Sequence, residues 1–115
     1  MILTVTTQAD PMEVRAWSNG RPLRTGAGYG VRLSGHDRDK HFDPAWREVI
    51  VDLDDGESVS VALSASFWGS CPELRNAAIG RWLLRHGLAP WSRGAPPAAL
   101  LISAGSNRFR LHPFS

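Results

Sequence analysis

Only one stretch of this 115-residue chain has the period of a long helix, and the rest must fold around it. It lies in residues 64–99, SASFWGSCPELRNAAIGRWLLRHGLAPWSRGAPPAA. Leu74, Ala78, Trp82 and Leu83, with Ile79, share one broad face, the mark of a core-facing helix. Ser70 and Glu73 stand at capping-box spacing, which predicts a start near Ser70, with Pro72 in the first turn where a missing N–H costs nothing. Gly87 stands where a left-handed residue would end the helix. Arg81 and Arg85, one turn apart at the edge of the stripe, read as a solvated flank with stems packed on the core. Such a helix is expected to plug or cap a small sheet.

The remaining chain is patterned for short strands. Residues 2–6 alternate β-branched and polar residues, and residues 14–17 form a second short candidate. Residues 17–30 hold four Gly, Pro22, Asn19, Arg21 and Arg24, a basic loop long enough to expect a function of it. Residues 30–33 read as a strand, after which Ser34 and Asp37 mark the start of a short polar helix. Phe42 and Trp46, either side of Pro44, are expected to dock that segment on the core. Residues 46–53 and 58–63 alternate cleanly around an Asp-Gly turn, the clearest hairpin in the chain. The acidic turn reads most simply as a solubilising tip. Residues 98–103 and 108–112 predict a closing hairpin over Ala-Gly-Ser-Asn.

Length and composition place the chain as one domain, residues 1–115, with no repeat or linker to divide it. A lone cysteine, Cys71, rules out an internal disulfide framework and fits a reducing cytoplasm. The opening residues lack a basic n-region and a long apolar run, and no apolar run is long enough for a membrane span. A cytoplasmic protein without a membrane partner is expected.

Charge is segregated along the chain. Of thirteen basic residues only Lys40 is not Arg. Arg forks onto phosphates and guanine edges, although high-GC coding would enrich it without functional meaning. Residues 14–36 carry four Arg and no acid, residues 43–57 six acids against Arg47, and everything after Glu73 six Arg and no acid. A fold that gathered the first and third zones would be basic on one face, suited to a polyanion.

Taken in order, loop, strand, short helix, hairpin, long helix, Gly/Pro connection and final strands resemble the B3-type pseudobarrel DNA-binding domain. The likeness is carried by GYGVRLS at 28–34, the His41-Phe42…Trp46 run, and IGRWLLRHGLAPWSRGAPPAALL at 79–101, and covers roughly residues 17–112. PUA-like and other small barrels are the alternative architectures. The resemblance implies an α+β fold, a small open β-barrel (pseudobarrel) with one short and one long helix. It also implies two arms that clamp the DNA major groove. By position, the first arm would contribute Asn19, Arg21, Arg24 and Thr25, and the second Ser64, Ser66, Trp68, Ser70, Arg75 and Asn76. Arg and Asn suit guanine and adenine edges, and the hydroxyls suit phosphates. Trp68 would pack on a sugar or a displaced base, against the plainer reading of burial in the core.

No residue set points to catalysis. His36, His41, His86 and His112 lack metal-ligand spacing, so no metal or cofactor is expected. Cys71 has no partner set that would make it a nucleophile, and Asp37, Asp39, Asp43 and His41 read as a polar helix surface. The Gly-rich stretch at 26–30 precedes a strand and lacks the Lys-Ser/Thr of a phosphate loop. The expected function is therefore a non-catalytic module binding double-stranded DNA, reading sequence or a modified base in a restriction or regulatory setting. The alternative is a protein-interaction module such as an antitoxin, immunity or adaptor protein, since Trp and Arg also favour protein interfaces.

Overall fold

The computed structural model describes residues 11–114. The strand expected at residues 2–6 lies outside them. Seven strands run β1 Met12–Ser18, β2 Tyr29–Arg32, β3 Glu48–Leu53, β4 Ser58–Ala62, β5 Glu73–Arg75, β6 Ala98–Ser103 and β7 Arg108–Pro113. Three short helices punctuate them: α1 Gly35–His41, α2 Ala65–Trp68 and α3 Ala77–Arg85. The strands form one mixed sheet in the order β4-β3-β7-β6-β1-β2-β5, antiparallel except for β3 beside β7. It curls into a barrel that is nearly closed, with one unsealed seam between β4 and β5. The α+β barrel expected from the sequence is the observed architecture.

Period-two alternation places the core. In β1, Met12, Val14 and Ala16 point inward while Glu13 and Arg15 point out, and in β3 Val49, Val51 and Leu53 do the same. With Val31, Val61, Leu74, Leu101, Phe109 and Leu111 they fill the barrel. Phe42 stacks on Phe109 at 4.5 Å and Trp46 meets Phe109 edge-on at 6.1 Å, so these aromatics dock their segment on the core as expected and close one end.

Helix α3 closes the other end, burying Ala78, Ile79, Gly80, Trp82 and Leu83. Its Gly87 has φ +68, the left-handed residue expected after the helix. Its start differs from the capping-box expectation: Glu73 belongs to β5 and Asn76 is the cap, accepting the Ala78 N–H at 2.8 Å. The reason is tertiary. Leu33 donates its N–H to Pro72 O at 2.9 Å and Glu73 pairs with arginines, so residues 72–75 are held extended against β2. The Ser34 expectation holds, its hydroxyl accepting the Asp37 N–H at 3.0 Å at the start of α1.

The 54–57 turn is not a free solubilising tip. Asp54 accepts from Trp82 Nε1 at 2.6 Å and faces His86 Nε2 at 3.0 Å, Asp55 pairs with Arg85, and Glu57 lies 3.8 Å from Arg81. The last turn of the acidic hairpin is thus docked on α3, and third-zone arginines neutralise it.

Candidate functional site

The first arm is residues 19–28, between β1 and β2. Its ends are tied by the Asn19 N–H to Gly28 O at 2.9 Å, and Asn19 Oδ1 accepts the Arg21 N–H at 2.8 Å. Its middle is locked onto α3. Gly26, at φ +93, and Gly80 meet so closely that a Cβ on either would stand 2.0 Å from a backbone oxygen. Arg81 Nη1 adds a bond to Thr25 O at 3.1 Å. On this anchored loop Arg21 and Arg24 are exposed, and neither has an acidic partner among the described residues.

The second arm, residues 64–75 with Asn76 next to it, divides between the two ends of the barrel wall. Ser64 precedes α2 without a side-chain cap bond to it, and its hydroxyl lies 2.8 Å from that of Ser66. Trp68 is half-buried, edge-on to Phe67 at 5.1 Å, so the core takes much of it. Arg38 Nη1 donates to Phe67 O at 2.9 Å and Gly69 O at 2.7 Å, tying α1 to this segment. Ser70 follows, its carbonyl 3.5 Å from Arg32 Nη2. Arg75 and Asn76 lie at the far end of β5, where they join Asn19 around a shallow concavity with Trp17, Ala27, Gly28 and Tyr29. The Asn76 amide is engaged within the chain on both sides, since its Nδ2 also donates to Ser60 O at 3.3 Å across the seam.

The structure therefore groups Asn19, Arg75 and Asn76, and sets Ser64, Ser66, Trp68 and Ser70 at the opposite end of β2. From Tyr29 to Arg32 the strand advances three residues, about 10 Å at roughly 3.3 Å per residue.

Between them lies a face that sequence reading missed. Arg15 pairs across from Arg32, and Arg32 across from Glu73, so all three side chains share the outer side of the wall. One step along, Trp17 and Arg75 flank Gly30, which has no side chain, and the Arg75 guanidinium lies over the Trp17 ring at 4.5 Å. Glu73 is only 6% exposed, with Arg75 Nη2 at 2.6 Å and Arg32 Nε at 3.7 Å. The signal was the out-facing alternation of residues 13–17 and 30–32, which is meaningful only once these strands are known to be neighbours.

Charge is distributed around the wall as well as along the chain. Outside β3, Asp52 receives Arg108 Nε at 2.7 Å, and Glu48 accepts the Ser60 hydroxyl at 2.6 Å. The Arg108 hydrogen bond, with that of Ser58, holds the Asp52 carboxyl below the usual carboxylate range, and the same Asp52 bond raises Arg108. Burial pushes the Asp54 carboxyl up, but hydrogen bonds from Trp82 and His86 and the nearby histidine charges outweigh it and leave it lowered. Among the described residues no three of His, Cys, Asp and Glu gather as a metal site would need, and no helix is long and apolar enough to cross a membrane. Compared with known proteins, the chain matches no family model, no curated protein and no solved structure.

Proposed function

We infer that this chain is a non-catalytic module that binds double-stranded DNA through two arms along one barrel wall. The observation that carries the reading is the pair Arg21 and Arg24. Both are exposed and free of acidic partners among the described residues, on a loop whose backbone is anchored to α3. A cation on a rigid support gives up little freedom when it meets a phosphate or a guanine edge. Reading of a specific sequence or a modified base would fall to Asn19, Arg21, Arg24 and the half-buried Trp68, with Arg75 and the hydroxyls of Thr25, Ser64, Ser66 and Ser70 setting register on phosphates. A role in restriction or regulation is the setting such a reader suits.

The test is fluorescence anisotropy on short duplexes, plain and cytosine-methylated. Arg21→Ala with Arg24→Ala should weaken binding more than tenfold, and an unchanged affinity would remove the first arm from the interface. A difference between the two duplexes would show that a base is read.

A second reading, a protein-interaction module, is favoured by one observation. Leu23 is 58% exposed beside a groove lined by Pro22, Arg24, Tyr29, Leu84 and Pro90. Binding through this groove would be largely insensitive to salt, whereas phosphate contacts are not.

A further inference from the structure

We propose that the outer face of β1, β2 and β5 is a phosphate strip that seats one DNA backbone between the arms, with Arg15, Arg32 and Arg75 as its cations and Glu73 as its positioning residue. This rests on the DNA-binding reading above and extends it to Arg15 and Arg32, which lie outside both arms, and to the buried Glu73 beneath them.

The burial of Glu73 is the starting point. A carboxylate with a side chain 2% exposed must be paired, because an unpaired charge there would be strongly unfavourable. Arg32 and Arg75 pair it through its two different oxygens, yet their own side chains stay 52% and 49% exposed. Each guanidinium has five donors and turns only part of its fork toward Glu73, so several donors remain directed at solvent. The anion lies beneath and the cations above, and an approaching polyanion meets positive charge first. Arg75 is further steadied by the Trp17 ring, over which its guanidinium lies at 4.5 Å. Arg15, 55% exposed, extends the row on the neighbouring strand, balanced by the exposed Glu13.

The strip also joins the arms physically. At one end Arg32 Nη2 reaches the Ser70 carbonyl of the second arm, and at the other Arg75 lines the concavity with Asn19 of the first. A duplex held by both arms would lay backbone across this wall. Phosphate contacts of this kind carry no sequence information but fix register and add to the salt dependence.

The experiment measures affinity for one duplex from 50 to 200 mM salt and compares slopes of log K against log salt. Each phosphate contact contributes about 0.9 to the slope. Arg32→Gln and Arg75→Gln should each lower it by about that amount, and Arg32→Lys should preserve it. Because Arg32 braces a buried carboxylate, Arg32→Gln is also made in a Glu73→Gln background, where no buried charge is left unpaired. That double variant should again lose about 0.9 relative to Glu73→Gln alone. Slopes unchanged in these variants, while Arg21→Ala with Arg24→Ala still lowers affinity, would overturn the strip and leave the arms standing. A wild-type protein that binds no duplex at 50 mM salt would overturn the DNA reading itself, and the strip with it.

Discussion

Gly80 is where a single methyl group has the most to reveal. Helix propensity favours Ala over Gly in mid-helix by about 1 kcal/mol, so on local grounds Gly80→Ala should stabilise α3. The structure opposes this, because the new Cβ would stand 2.0 Å from Gly26 O, a backbone atom with no rotamer to escape into. Overpacking of this kind costs about 1–3 kcal/mol and outweighs the propensity gain. Gly80→Ala should therefore lower the urea midpoint and loosen the 19–28 loop. An unchanged or raised midpoint would mean that the loop is not clamped to α3 and that Arg21 and Arg24 are not held on a rigid support.

Among the elements, the β3–β4 hairpin and α3 form a single unit through the acidic turn. Trp82 is fully buried and its indole N–H has Asp54 as partner, so Asp54→Ala strands a buried donor and should cost about 1–3 kcal/mol. The same contact makes stability depend on acid. Asp52 and Asp54 both have folded-state values below the ordinary 3.8, so the folded state holds their charged forms more tightly than the unfolded state does. Their contribution is fully present above 3.8 and is lost as pH falls through the lowered folded values. Melting temperature followed by circular dichroism should be flat in this respect above pH 5 and fall progressively below 3.8. In Asp54→Ala the acid-induced fall should be shallower, and an identical fall would place the acid sensitivity elsewhere.

For the whole molecule, the seam between β4 and β5 decides whether the sheet behaves as a barrel or as an open curl. Asn76 crosses it, capping α3 with its Oδ1 and reaching Ser60 O with its Nδ2. Asn76→Asp keeps the cap and loses the seam donor, whereas Asn76→Ala loses both and should cost about 1 kcal/mol more from the missing cap. Both variants should speed amide hydrogen exchange along β4 and β5, with the other five strands little changed. Equal protection in wild type and Asn76→Asp would show that the seam is closed by packing alone. The seam also divides the wall by charge, with Glu48 and Asp52 facing out on the β3 side and Arg15, Arg32 and Arg75 on the other. The bipolarity expected from the charge zones is thus partial. Arg75 joins the first-zone arginines on one wall, while Arg81, Arg85 and Arg108 turn to the acids instead.

What the sequence determined by itself is whatever local physics decides. Alternation about Asp55-Gly56 yields the central hairpin, the Ser34 hydroxyl starts α1, Gly87 ends α3, and the stripe from Ala78 to Leu83 faces the core. Each depends on residues within a few positions of one another. The exposed arginines of the first arm were legible for the same reason, as a basic loop rich in Gly. Only the tertiary structure decided where α3 begins, because Glu73 is drawn into β5 by arginines 41 and 2 positions away rather than into a cap with Ser70. It alone decided that the acidic turn docks on α3, a contact across 28 residues between Asp54 and Trp82. It alone brought Arg15, Arg32, Glu73 and Trp17 to one face, since strand neighbours are set by the folding of the sheet and not by spacing along the chain.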